Sequence, residues 1–329
     1  MTSSPAPKTS AKADKRSDFF RVTLEQYSMM VIFVVLFVAA SIWVENFATL
    51  NNMKTLLLQI VQVGIAACAM LFLLATGDFD LSPGAVVALS GVIAAVVTNR
   101  TGSVALGFAA GITAGSLVGL LNGVLVAKAG ISAMIATLGT QQITRGLTFI
   151  TSGGKAVGVS NEGFYWIGSY QLFGFLPIPV LVMGCFFAVF GYLLGRTIFG
   201  RNSLAIGGNA EAAKLAGINV ARTRIIIFTL LGFCAAVAGI ILASQMTSGQ
   251  PNEGLGLELR VIAACVLGGV SLSGGIGTMM GTIVGVLIMG MLQDVMNLLR
   301  IETFWQYVVS GAVLLAAVLI DRLKQRRTA

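Results

Sequence analysis

Asp78 and Asp80 stand two residues apart in Gly77-Asp78-Phe79-Asp80-Leu81-Ser82-Pro83-Gly84, between two apolar runs. A carboxylate at bilayer depth costs several kcal/mol unless it is paired, hydrated or on a pathway. Gly and Pro at the same place break a helix, and broken backbone is tolerated in a membrane only inside protein or beside a cavity. Asp78, Asp80 and Ser82 therefore mark a polar, irregular seam of the kind that lines a translocation route. The same aspartates also suit the N-cap of the helix that follows. Further along, Thr137, Gln141 and Arg145 recur every four residues, hence on one helix face, with Thr140, Thr144 and Thr148 on the adjacent stripe. Gln293, Asp294 and Asn297 form a second polar face, and Gln59 and Gln62 a third. Hydroxyls and amides both donate and accept hydrogen bonds without holding charge, which suits a neutral polyhydroxyl ligand. The same groups serve equally as glue between membrane helices.

Catalytic chemistry finds no support. Gly154-Lys155 comes nearest to a phosphate-binding loop, but Ala156 follows it and the earlier glycine is missing. There is no G-x-S-x-G element, no metal-ligand cluster and no histidine. The four cysteines, Cys68, Cys185, Cys234 and Cys265, lie singly in apolar runs and read as small hydrophobes. No cofactor or metal is expected on this chain, and any ATP hydrolysis it uses must belong to a separate polypeptide that binds ATP and Mg.

The elements that must position these residues are membrane spans. The chain has 329 residues, 56% of them hydrophobic and only 10% charged, where a soluble domain carries about 25% charged residues. Apolar runs at 29–47, 56–76, 83–98, 104–127, 131–151, 175–195, 225–246, 259–273, 278–299 and 304–320 predict an all-α, polytopic membrane protein of about ten transmembrane helices. The third and eighth runs are short, so some helices should be broken. Residues 1–27 read as a disordered basic cytoplasmic tail, 28–321 as the membrane domain and 322–329 as a basic cytoplasmic C-terminal tail. With the N-terminus inside, all but six of the 21 Lys and Arg residues fall on the cytoplasmic side. The exceptions are Lys54, Arg100, Arg145, Lys155, Arg260 and Arg300, a bias that fits the positive-inside rule. Both termini are then cytoplasmic, 152–174 and 247–258 face outward, and 196–224 is a cytoplasmic loop. The net charge of +8 follows the segment ends and forms no aromatic-interleaved patch, so it points to lipid rather than nucleic acid. In this topology Arg145 and Asp294 sit at matched depth near the outer surface, and an ion pair between them is expected.

Glycines at 107, 111, 115, 119 and 123, and again at 277, 281 and 285, recur every four residues. They allow close backbone approach between helices, within one subunit or across a dimer seam. Residues 77–84 echo 268–275, suggesting two weakly repeated halves with a substrate site near their interface. In the cytoplasmic loop, Asn209 is a good N-cap, Glu211 suits a positive helix end and Gly217 is a good stop, so a helix of about two turns is expected over 208–217. A helix that short needs a partner surface. Its alanine face (Ala212, Ala213) beside Gly208 and Lys214 invites close approach.

Three stretches together resemble a known family: Gly-Asp-Phe-Asp-Leu-Ser at 77–82, the Phe199-Gly-Arg…Ala-Ile-Gly-Gly-Asn…Ala-Gly loop, and Val266-Leu-Gly-Gly-Val-Ser-Leu-Ser-Gly-Gly-Ile-Gly. They are similar to the permease subunits of bacterial ATP-binding-cassette importers for simple sugars, the branch of ribose, galactose and arabinose systems. Asn46-Phe-Ala-Thr-Leu, Gly153-Gly-Lys-Ala-Val-Gly and Met246-Thr-Ser-Gly-Gln-Pro resemble the arabinose members most. The resemblance implies an inner-membrane permease without enzymatic activity of its own, a homodimer, an ATPase subunit docked on residues 208–217, and a periplasmic sugar-binding protein. A stand-alone secondary sugar carrier or channel is the rival reading.

Overall fold

The computed structural model describes residues 29–326, and side chains up to residue 319. The expected N-terminal tail and the last three residues lie outside the described residues. The chain is built from helices: α1 (Met29–Trp43), α2 (Leu50–Gln59), α3 (Val61–Ala75), α4 (Pro83–Thr101), α5 (Val104–Ala127), α6 (Ala133–Ser152), α7 (Glu162–Ser169), α8 (Ile178–Arg196), α9 (Ile198–Gly208), α10 (Ala210–Leu215), α11 (Val220–Gln245), α12 (Leu257–Leu267), α13 (Met279–Leu298) and α14 (Thr303–Arg326). Two-residue ladders join 157–158 to 248–249 and 171–172 to 176–177.

The span count differs from the sequence expectation. Five helices, α4, α5, α8, α11 and α13, are long and apolar enough to cross a membrane, and α2 with α3, bent by 44°, makes a sixth. The difference has physical reasons. α12 has only 11 residues, and the apolar stretches of α1 and α14 are short. α6 has a full 20 residues, but its threonines, glutamines and arginine dilute the apolar run.

α3 occupies the centre. Its sequence is apolar on every side, and every residue but Gln62 is buried, as a helix hydrophobic all round must be. α8, α9, α11, α12 and α13 pack around it. The α5 glycines face α4 and α11: a Cβ on Gly119 would strike the Phe228 carbonyl, and one on Gly115 would lie 2.7 Å from the Ala236 methyl. This stripe is therefore packing within one chain. In the second stripe Gly281 and Gly285 receive the carbonyls of Gly268 and Ala264 on α12 and the turn after it.

Two non-helical segments shape the interior of the bundle. Residues 76–82 lead from the end of α3 back along the bundle to α4, which begins with Pro83 at its first position. Residues 246–256 leave α11 and run antiparallel to α4. Gly249 lies against Val92 and Gly254 against Gly84, a descent of eight residues or roughly 12 Å along the helix axis. α4 and α12 thus both start inside the bundle, side by side, with the Glu258 carboxylate wedged against Gly84. The echoing segments 77–84 and 268–275 instead touch at one end of the molecule, where a Cβ on Gly274 would lie 3.0 Å from the Gly77 nitrogen.

Candidate functional site

A cavity of about 570 Å³ opens where α2–α3, the end of α7, the end of α11, the 246–256 segment, α12 and α13 meet. That volume lies within the range of small-molecule sites, roughly 300–1,000 Å³. The bend after Gln59 turns Gln59 and Gln62 toward it. Gln62 is the single residue of α3 that is not buried, because it faces this space. Its Nε2 donates to Oε1 of Gln245 at 3.1 Å, bridging α3 to α11. Each amide carries two donors and an acceptor, so this bond leaves capacity on both. The Gln59 Oε1 atom is buried without a hydrogen-bond partner among the described residues. Across the cavity the Arg260 guanidinium donates to Oε1 of Gln293 at 3.3 Å. Thr55, Ser169 and Glu253 complete the polar lining, and Val63, Val87, Leu242 and Leu257 supply apolar wall. A cavity that mixes amides, hydroxyls and flat apolar surface can hold a neutral molecule bearing several hydroxyls.

Of the residues singled out from sequence, Gln59, Gln62 and Gln293 line this cavity. The others lie elsewhere. Asp80, Ser82 and Thr137 sit in a buried polar knot with Asn122 and Thr140. There Asn122 Nδ2 donates to Asp80 Oδ2 at 3.1 Å and to Ser82 Oγ at 2.9 Å, and Thr140 Oγ1 donates to Asn122 Oδ1 at 2.6 Å. The Leu81 N–H donates to Thr137 Oγ1 at 3.1 Å. Asp80 Oδ1 accepts from the Ser82 N–H at 2.7 Å, so it fixes the turn into α4 rather than capping the helix interior. Asp78 pairs with Arg224 at the foot of α11, 2.8 Å apart. Burial pushes the Asp78 carboxyl up, and the guanidinium pulls it back toward its ordinary value. Asn297 Oδ1 accepts from Gln306 at 2.8 Å.

The expected Arg145–Asp294 ion pair does not form. Arg145 Nη1 donates to the carbonyls of Pro251 and Glu253 at 2.7 and 2.8 Å. Asp294 Oδ2 accepts from Asn52 at 2.7 Å. Equal depth on two helices left their direction around the bundle undetermined, and each charge found a nearer partner. Arg145 still bears on the cavity, since it clamps the segment that carries Glu253 and Gly254. Gln141 does so too, donating to Glu258 Oε1 at 3.3 Å.

Sequence reasoning missed Gln245, Arg260 and Glu253. A readable signal existed for Arg260, a lone charge inside an apolar run, which in a membrane helix faces the protein interior by default. Glu253 carried no periodic signal because its segment is not helical.

In the 196–224 loop, α10 is capped by Asn209, whose Oδ1 accepts from the Ala212 N–H at 2.9 Å. It carries Glu211 in its first turn and ends before Gly217 at φ +86°. The helix is shorter than expected, and α9 before it was not foreseen. Gly208 and Asn209 are exposed, Ala213 is buried, and Leu215 is 89% exposed. Glu211 and Lys214 border a groove of about 570 Å³ against Asn219 and Arg224.

Residues 52–318 match the family model described as branched-chain amino acid transport system / permease component. The chain belongs to this permease family. Among curated relatives of this permease, the L-arabinose transport system permease protein AraH of Escherichia coli (strain K12) is 54% identical over 314 residues, 95% of either chain. The L-arabinose ABC transporter permease protein AraH of Azospirillum brasilense is 47% identical over 98% of this permease and 96% of its own length. The ribose import permease protein RbsC of Escherichia coli (strain K12) is 37% identical over 96% of this permease and all of its own. No solved structure gives a significant match.

Proposed function

We propose that this permease is the membrane-spanning subunit of an ATP-driven importer for L-arabinose, and that the cavity of Gln62, Gln245, Arg260 and Gln293 is where the sugar passes. The identity of 54% to AraH over 95% of the chain carries the reading, and the cavity, whose amides sit beside Arg260 and Glu253, offers the hydrogen-bonding groups a sugar needs. In this reading α1, α6, α12 and α14 also cross the bilayer, giving ten spans with both termini in the cytoplasm. The chain forms a homodimer in the bacterial inner membrane. Exposed apolar side chains such as Leu117, Ile143 and Ile150 face lipid or the second copy. A separate ATPase subunit binds ATP and Mg and docks on residues 208–217, around α10, and a periplasmic binding protein delivers the sugar. ATP binding closes the ATPase pair, moves the docking helices and reverses the side on which the cavity opens.

Purification from detergent tests the assembly. The chain is expected to co-purify with its ATPase as a complex that holds two copies of the permease. Ala212→Trp, on the exposed face of α10, is expected to weaken that association at least fivefold, since overpacking costs about 1–3 kcal/mol; Ala213 is already buried within the chain. A stable monomer that ignores the ATPase would contradict the proposal.

A further inference from the structure

Three segments from distant parts of the chain meet backbone against backbone at the end of the bundle that carries α10. A Cβ on Gly207, in the last turn of α9, would collide with the Ala75 carbonyl at the end of α3 and with the Gly275 nitrogen. The Gly275 N–H donates to that same Ala75 carbonyl at 2.9 Å. A Cβ on Gly274 would lie 2.8 Å from the Gly207 Cα and 3.0 Å from the Gly77 nitrogen, and one on Gly275 only 3.2 Å from the Gly208 Cα. No side chain lies in these contacts. A side chain between two segments absorbs a displacement by shifting its rotamer, whereas packed backbone has no such slack and transmits it.

What the joint connects gives it meaning. On one side α9 leads through one extended residue, Asn209, into α10. On the second, Ala75 leads into residues 76–82, which are tied to α11 by the Asp78–Arg224 pair and to α5 and α6 by the knot at Asn122, and then into α4. On the third, the turn at 268–278 leads back into α12, which presents Arg260 to the cavity. α4 and α12 also begin against each other at Gly84 and Gly254.

We propose that Gly207, Gly274, Gly275 and Ala75 form a rigid transmission joint, through which displacement of the docking helix passes undivided to α4 and to α12, and so to the cavity. Gly207 is a positioning residue of this joint and touches no substrate. The proposal rests on the importer reading above.

The test uses the assembled complex with its ATPase and binding protein in proteoliposomes. Gly207→Ala is expected to keep ATPase association and basal hydrolysis within about twofold while losing about tenfold or more in sugar uptake and in stimulation of hydrolysis by loaded binding protein. That loss is the fold-change equivalent of roughly 1.4 kcal/mol of coupling. Gly195→Ala, on α8 outside the docking segment and where a Cβ meets open space, is the control and is expected to transport normally. Uptake by Gly207→Ala equal to wild type overturns the joint. If Gly207→Ala does not assemble, amide exchange on the wild-type complex decides. The 270–278 peptide is expected to keep its protection between nucleotide-free and nucleotide-trapped states while 246–256 changes. Loss of protection at 270–278 on trapping overturns the joint. Absence of ATP-dependent uptake in the wild-type arm would instead sink the importer reading.

Discussion

Arg145 and Asp294 show how a residue's type can be read while its partner cannot. Each charge was expected to be buried in protein, and each is held there, but by backbone carbonyls and by Asn52 rather than by the other. The expected consequence is additivity. Arg145→Ala and Asp294→Ala, measured singly and together by thermal unfolding in detergent, should sum within about 0.5 kcal/mol, the usual limit for residues sharing no partner. A coupling well above that would mean that the two charges interact. Asn122 is the residue whose loss should hurt most. It is fully buried and bonds Asp80, Ser82 and Thr140 at once. Asn122→Ala would leave a buried carboxylate short of a donor, each orphaned group costing about 1–3 kcal/mol. A drop of about 2–4 kcal/mol is expected, and an unchanged melting temperature would mean that water replaces the amide. Asp80, Ser82 and Thr137 were legible as polar groups at membrane depth. That they fasten the entry to α4 instead of lining the cavity depended on Asn122, a single amide in a glycine-rich apolar run that no periodic pattern marks.

At the scale of elements, apolar runs gave most of the helices, because a span must satisfy its backbone internally and so reads continuously. Glycine spacing identified the packed face of α5, which welds it to α4 and α11. Gly119→Val should therefore overpack the contact with Phe228 and Gly232 and lower stability by about 1–3 kcal/mol. The same change at Gly139, where a Cβ meets open space, is expected to be nearly neutral, and equal effects at both positions would argue against the intrachain role of the stripe. The 76–82 and 246–256 segments were only half legible. Gly, Pro and Asp announced the first as a break, but neither sequence shows that the two run back to meet at Gly84 and Gly254. That crossing depends on three-dimensional packing of small residues distant in the chain. The cap at Asn209 was readable from type and position alone. Asn209→Ala should cost α10 about 1 kcal/mol, seen as weaker ATPase association at unchanged permease stability.

For the whole molecule the central claim is that this subunit moves sugar only as part of an ATP-driven assembly. In the proposed reading the cavity offers Gln62, Gln245, Gln293 and Arg260 to a neutral polyhydroxyl, while no phosphate-binding loop appears in the sequence. The direct measurement is uptake of labelled L-arabinose into proteoliposomes, first with this chain alone and then with its ATPase and binding protein, with and without internal ATP where the ATPase faces. Uptake is expected only in the full assembly with ATP, and should fall at least tenfold with Gln62→Ala. Uptake by the lone chain, driven by a proton or sodium gradient and indifferent to ATP, would contradict that claim.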